Sequence, residues 1–408
     1  MKELSTTFDY YILPNKIFCS IVGIWPIGER SSTCSKIFAY FRLIVSLIAI
    51  SNFFVPEIMA VAFYWGDVET VIGIGSNLMS ATQLFFKMIY LVARRERVYR
   101  LYNEIRILWD STDDPNERKS YEQIAYRARI VTITFSSCFL CNLTTFSIAT
   151  IADYFRFAYN GNNTNDNRHL PFLVWYGTDI SASPKFEIAF VGQVMTAMIG
   201  LSAITAIDCT FMTMILHVSG QFILIKTWIN KIGFEMNHKS IDMDKFEEDL
   251  FKCIRHHQRM IHVVNDVNNL LTPIIFMQLL TSGLEICLSG YAMLDNGTKI
   301  TDILKFTSYF ISVTVQLLLW CWPGEILVQE SQEVGQVVYF SVPWYNLPPI
   351  YRNHVCLMII RAQQYCSITA LTFKVLSIQT LTVVSNHLLI LKMRYATGQK
   401  WPKYKTLC

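Results

Sequence analysis

Seven ionisable side chains fall inside long apolar runs or at their edges: Arg42, Glu57, Lys87, Asp208, Glu285, Glu325 and Lys374. A charge in such surroundings is costly, so it marks an ion path or a polar site unless its side chain reaches back to an aqueous boundary. Reaching back accounts for those near the ends of their runs, but not for Asp208, Glu285 and Lys374. Nothing completes a catalytic group around them. His256, His257 and His262 lack the i,i+4 pair of imidazoles that a helical metal site uses, and no cysteine or acid pattern completes one; a solvated helix face is the expectation there. There is no phosphate-binding loop, dinucleotide fingerprint or nucleophile elbow. The chain therefore reads as a non-enzyme, with no catalytic residue, metal or cofactor.

A second group of residues suits binding rather than reaction. Phe146, Ala149, Thr150, Tyr154, Met195, Thr196, Ile199, Tyr309 and Phe310 mix aromatic, small and hydroxyl side chains in the outer halves of the middle apolar runs. Such a mixture can line an apolar cavity with a few polar contacts for a small volatile ligand, although helix packing and interfacial aromatics use the same residues.

The elements that must position these residues are membrane helices. With 408 residues, 52% of them hydrophobic, the chain has more apolar surface than one soluble core encloses. Crossing about 30 Å of hydrocarbon takes roughly 20 mostly apolar residues, because only a helix satisfies its own backbone in lipid. Seven runs qualify, at 37–64, 71–93, 130–152, 188–225, 270–294, 304–328 and 365–391. The fourth is longer than a bilayer needs, so its helix is expected to continue into the cytoplasm beyond Gly220.

The net charge of +4 is small, and the basic residues cluster in particular connections, which speaks for topology and not for nucleic-acid binding. Residues 94–129 carry about nine and 226–259 about seven; with the other segments this gives roughly 22 on one side against roughly 10 on the other. The rich side is the cytoplasmic one. Sequons at Asn162 and Asn296 fall on the poor side, where glycosylation is possible. A third match, at Asn142, lies inside an apolar run and reads as chance. The basic tail (Lys392, Arg394, Lys400, Lys403, Lys405) opposes an outside C-terminus. The fold expected is an all-α membrane protein with seven transmembrane helices, N-terminus cytoplasmic and C-terminus extracellular. It divides into a cytoplasmic segment (1–36), six helices with a pocket in their outer half (37–329), and a cytoplasmic anchor followed by helix seven and a short tail (330–408). Most of the eleven cysteines lie in apolar runs or cytoplasmic loops, so no structural disulfide is expected. No cleaved signal peptide is expected in the first thirty residues either.

The last third is the most distinctive stretch. Trp320, Trp322, Pro323, Gly324 and Glu325 lead to Glu330 and Ser331, then Tyr339, Pro343-Trp344, a Pro348-Pro349 break, and a final run in which hydroxyls (Thr369, Thr372, Ser377, Thr380, Thr382, Ser385) alternate with apolar residues. A helix of that kind is a packing helix or a pore wall. In length, span number, inverted topology, charged second cytoplasmic loop and this stretch in order, the chain resembles the insect odorant receptors, in particular their odorant-tuned subunits. The resemblance implies a ligand-gated, nonselective cation channel, usually a heterotetramer with the family's co-receptor, in the plasma membrane of a sensory neuron's dendrite. It implies an anchor built from cytoplasmic parts of the fourth to seventh helices, and a pore lined by the outer part of the seventh. Alignment to the family's gate points to Ser385, Leu389, Lys392 and Met393; Lys392 would weaken cation attraction there. Gustatory receptors carry a Thr-Tyr pair, five apolar residues and Gln-Phe where this chain has Ser385-Asn386, His387 to Leu391 and Lys392-Met393. That departure disfavours a gustatory-type channel. The co-receptor's Thr-Tyr and Gln-Leu and its longer second loop are missing too. A G-protein-coupled receptor would need the opposite topology, an Asp-Arg-Tyr triplet and Asn-Pro-x-x-Tyr, none of which is present. A transporter would show internal repeats, and none is seen.

Overall fold

The computed structural model describes residues 7–25, 32–112, 114–159, 170–178, 180, 182–238, 242–293, 300–370 and 374–376. In chain order the elements are α1 (Phe8–Val22), α2 (Thr33–Phe63), α3 (Val68–Ala93), α4 (Arg95–Asp110), α5 (Pro115–Tyr159), α6 (Lys185–His238), α7 (Met243–Ala292), α8 (Ile300–Ser341), a 3₁₀ turn (Trp344–Asn346), α9 (Pro349–Gln363) and a two-stranded pairing of β1 (Thr369–Ala370) with β2 (Lys374–Val375). Helix starts are set by side-chain oxygens that take up free backbone N–H groups. Ser32 accepts from the amide of Ser35, Asp67 from Thr70, and Asp242 from both Asp244 and Lys245.

Five helices among the described residues, α2, α5, α6, α7 and α8, are long and apolar enough to cross a membrane. Helix α3, at 26 residues, has the length, but Asn77, Gln83 and Lys87 dilute its hydropathy. The N-terminal half of α2 presents Ile37, Phe38, Phe41, Ile44 and Ile48 outward, each more than half exposed, as a lipid-facing surface requires. Helix α6 continues well past Gly220 in one unbroken helix of 54 residues, about 80 Å at 1.5 Å per residue, far beyond a hydrocarbon core. This matches the expectation for the fourth run.

Three parts differ from the sequence expectation. The charged stretch 94–129 is α4, a turn and the first half of α5. Leu101, Ile105, Leu108 and Trp109 recur at helical spacing on the buried face of α4, leaving the arginines outside. Residues 8–22 form a helix that buries Asn15. Its Nδ2 donates to Thr213 Oγ1 (2.7 Å) and the Cys209 carbonyl (3.3 Å), while Thr132 Oγ1 donates to its Oδ1 (2.8 Å). One amide thus ties α1 to α5 and α6. The third concerns the seventh run. Its described residues, 365–370 and 374–376, are extended and not helical. Leu376 N donates to the Ile368 carbonyl (2.8 Å), Cys366 N to Ser331 Oγ (3.0 Å) and Thr369 N to Asn268 Oδ1 (2.8 Å). Helix α9, opened by Pro349 at its first turn, precedes it and packs on α8 where Gly335 lets Ala362 approach. Helix α8 itself runs unbroken through Pro323 to Ser341, so position 330 falls inside one helix.

Candidate functional site

Two polar stripes face each other inside the bundle. On α3, Ser76, Ser80, Gln83 and Lys87 are spaced to share one helix face; on α7, Gln278, Ser282, Glu285 and Ser289 do the same. The helices run antiparallel, so the stripes pair in reverse order. Ser80 Oγ donates to Glu285 Oε1 (2.7 Å), Thr281 Oγ1 to Gln83 Oε1 (3.0 Å) and Lys87 Nζ to Gln278 Oε1 (2.5 Å). Gln83 Nε2 also donates to Gln278 Oε1. Helices α6 and α8 complete the network. Asp208 forms a salt bridge with Lys87 at 2.6 Å, both side chains sealed from solvent, and its second oxygen accepts from Gln316 Nε2 at 2.6 Å. Burying either charge alone would cost several kcal/mol; paired and hydrogen-bonded, the two are tolerated.

Directly against this network lies a small, partly open cavity between α3, α5, α6 and α8. Ser80 and Gln83 of α3, Phe139 and Asn142 of α5, and Ile204 of α6 line it; α8 supplies Tyr309, Ser312, Val313 and Gln316. Tyr309, whose hydroxyl donates to the Ser76 carbonyl (2.8 Å) and lies 2.6 Å from Ser80 Oγ, forms one wall. Asn142 differs from the other polar lining: its buried Nδ2 has no hydrogen-bond partner. A buried unpaired donor is expensive, and a ligand acceptor would satisfy it.

At the C-terminal half of α2, segment 170–178 packs against the bundle. The Gln193 side chain grips Phe172 by both backbone groups, accepting from its N–H (3.0 Å) and donating to its carbonyl (3.1 Å). Trp175 N donates to the Pro56 carbonyl and its ring stacks on Phe63 at 4.2 Å. Next to Pro56, Glu57 is 1% exposed with neither carboxylate oxygen paired. Reaching back to water, the sequence account for charges near run ends, therefore fails for Glu57.

Of the ligand candidates, Tyr309 lines the cavity, and Phe310 beside it is half-buried against the core. Met195 is 58% exposed on the outer surface of α6; Thr196 and Ile199 are half-buried but do not line the cavity, to which Ile204 contributes instead. Phe146, Ala149, Thr150 and Tyr154 belong to α5, but their side chains lie outside the described residues, as do the gate candidates Ser385, Leu389, Lys392 and Met393, the sequon asparagines Asn162 and Asn296, and the Lys374 side chain. The α5 residues that do line the cavity, Phe139 and Asn142, sit one to two turns deeper than the sequence reading placed it. The signal that would have found the site was a hydrophilic stripe at helical spacing on two apolar helices. Asn142, set aside as a chance sequon, was part of the same polar signature.

Of the three histidines only His262 is exposed, as on a solvated face. His257 is 3% exposed, its ring edge-on to Phe222, and burial, with Arg361 nearby, pushes its pKa down to about 4. His256 lies against Trp228 and pairs with Gln221 Oε1 at 3.1 Å. Burial and then the charges of Arg259 and Lys252 bring it to about 4 as well. Among the described residues, no three His, Cys, Asp or Glu side chains are grouped as metal ligands would be.

Comparison with known proteins agrees with this architecture. Residues 70–387 match the family described as 7tm Odorant receptor. The chain is similar to Odorant receptor 82a of Drosophila melanogaster, 22% identical over 332 residues, covering 80% of this chain and 84% of that receptor. It is similar also to Odorant receptor Or2 of Anopheles gambiae, 22% identical over 337 residues, covering 79% and 83%. The fold matches the insect olfactory receptor OR5 from Machilis hrabei in complex with eugenol, with a TM-score of 0.80 at 13% identity over 95% of this chain and 98% of that one. These relatives are receptors and not enzymes, the helices are those of a multi-pass membrane protein, and this chain belongs to the 7tm odorant receptor family.

Proposed function

We propose that this receptor is the odorant-tuned subunit of a ligand-gated, nonselective cation channel that works with a co-receptor in a heterotetramer, with its N-terminus in the cytoplasm of a sensory neuron. Its ligand is a small, mostly apolar volatile carrying one hydrogen-bond acceptor. The observation that carries this reading is the cavity between α3, α5, α6 and α8, whose lining holds one buried donor without a partner, Asn142 Nδ2. That a receptor of the same fold was solved in complex with eugenol supports a small-molecule ligand.

A ligand shifts the channel only as far as it binds the open arrangement better than the closed one. Four helices meet at the cavity, and Gln83, Gln316 and Tyr309 touch both the ligand space and the buried network. A ligand that displaces α8 through Tyr309 or Gln316 therefore pulls on Asp208 and Lys87. Farther along α8, Gly324 lies against the Leu376 carbonyl, so the same motion reaches the segment that leads into the pore candidates Ser385, Leu389, Lys392 and Met393.

The test is whole-cell current from cells expressing the receptor with and without an odorant co-receptor, under a volatile panel and with G-protein signalling blocked. The expected result is a fast cation current that requires the co-receptor. Asn142→Leu should raise the half-activating concentration of acceptor-bearing ligands about tenfold, a loss of ~1.4 kcal/mol, and leave hydrocarbons of the same shape unaffected. Responses abolished by the G-protein block, or equal losses for both ligand types, would overturn the reading.

A further inference from the structure

A second cavity, a partly open cleft, lies at the arginine-rich end of the bundle, where α1 ends and α3 turns into α4. Its walls are apolar: Leu43 of α2, Leu91 of α3, Ala206 and Phe211 of α6. Apart from Arg95 at the rim, the polar side chains in its wall are already satisfied, with Cys19 Sγ 3.3 Å from Thr210 Oγ1 and 3.5 Å from the Ala206 carbonyl. The interior therefore offers no handle to a polar ligand and suits a hydrocarbon chain. Gly23 shapes the upper edge. It ends α1 in a left-handed conformation (φ 81°), and a Cβ there would meet the Ala39 carbonyl at 2.4 Å.

The rim carries the opposite chemistry. Arg95 lines the cavity, donates to the Trp25 carbonyl at 3.3 Å and stacks on Tyr40, whose ring is half exposed on the lipid side of α2. Arg42, next in the chain to Leu43 of the lining, lies over the exposed Phe38, and its buried Nε has no hydrogen-bond partner. Arg94 and Arg97 are exposed beside them. An apolar chamber with a guanidinium rim at the headgroup level of a bilayer is complementary to an amphiphile with an anionic head, since arginine forks pair with phosphate and carboxylate oxygens.

We propose that this cavity holds an acyl chain of an anionic phospholipid whose headgroup is bound by Arg95 and Arg42. The occupied site braces α3 against α6 one helical turn from the ion pair, because Leu91 follows Lys87 by four residues and Ile207, which also lines the cavity, adjoins Asp208. This site is separate from the odorant cavity and does not depend on the channel reading.

The experiment measures lipid directly. Full-length protein is exchanged into mixed micelles of phosphatidylserine and phosphatidylcholine with identical acyl chains, repurified, and the retained lipid counted by native mass spectrometry. The expected result is about one tightly held phosphatidylserine per chain, retained at least fivefold over phosphatidylcholine. Arg95→Gln combined with Arg42→Gln should abolish that preference while a lipid remains bound. Leu91→Trp, which fills the chamber, should lose the lipid of either kind; if that variant does not fold, Val98→Trp fills the same space from α4. Equal retention of the two lipids by the unsubstituted protein, or retention unchanged by a folded chamber-filling variant, overturns the proposal.

Discussion

Removing one end of the Lys87–Asp208 pair should cost far more than removing both. At 2.6 Å and an effective dielectric constant of about 20, the attraction is ~6 kcal/mol before desolvation is subtracted. Lys87→Met leaves the Asp208 carboxylate sealed in the bundle with Gln316 as its remaining donor; Asp208→Asn leaves the Lys87 ammonium with Gln278. Each single variant should lose about 3–5 kcal/mol, the usual cost of stranding a buried charge. The double variant has no charge to strand and gives up only neutral hydrogen bonds, about 1 kcal/mol each. Its loss should be about 2 kcal/mol, so the coupling between the sites is ~4 kcal/mol or more. The assay is unfolding of the purified protein in detergent, followed by tryptophan fluorescence and by the monodisperse fraction on size exclusion, for all four corners of the cycle. If the double variant costs the sum of the singles within about 0.5 kcal/mol, the two charges do not depend on each other and the account of the network fails.

Three further outcomes are expected. Gln193→Leu removes both hydrogen bonds that hold Phe172 and should speed hydrogen exchange in 170–178 by roughly tenfold to a hundredfold, for a loss of about 1–3 kcal/mol, with exchange in α7 unchanged. Gly324→Ala gains about 1 kcal/mol of helix propensity, but its Cβ would stand 2.4 Å from the Leu376 carbonyl; the overpacking of about 1–3 kcal/mol should release 365–376 to protease, whereas Gly335→Ala, with its nearest contact at 3.2 Å, should do so much less. His257, held down to about 4 by burial and then Arg361, adds no pH dependence above about pH 6.5. Below that the unfolded chain takes up a proton the folded one refuses, so stability falls until the folded pKa is passed. Between pH 7.5 and 5.0 the loss is about 2 kcal/mol, and His257→Leu should flatten that part of the thermal-stability profile; a profile as steep as that of the unsubstituted protein would refute the assignment.

The membrane helices were legible because lipid imposes one strict requirement, a long apolar run, and six of the seven runs fall on helices that cover them to within two residues, as Thr33–Phe63 does for 37–64. What lay outside the bilayer was read less well. There, charge does not distinguish a loop from a helix with one buried stripe, which is why α4 passed for a loop. Its fate is decided by Trp109, which meets Tyr121 edge-on at 4.8 Å and Tyr11 at 5.4 Å, contacts that join three separate segments. Helix α1, interrupted by Pro14, is likewise specified by the partners waiting for Asn15. The cavity was illegible for a related reason: its walls come from positions near 80, 140, 204 and 312, and no local pattern says that these meet.

The polar content of α3 joins the legible part to the illegible one. A helix that only had to cross lipid would gain from replacing Ser80, Gln83 and Lys87 with leucine, and α3 would then be as apolar as its neighbours. Each of those residues instead finds a partner on α7, and through Asp208, Gln316 and Tyr309 the contacts extend to α6 and α8. In hydrocarbon a satisfied polar network has few alternative arrangements of similar energy, so moving one member forces its neighbours to find new partners. A hydrophobic interface would slide under the same push. On the function proposed above, the residues that make α3 the least typical span are the ones that would turn occupation of the cavity into a discrete change at the far ends of four helices.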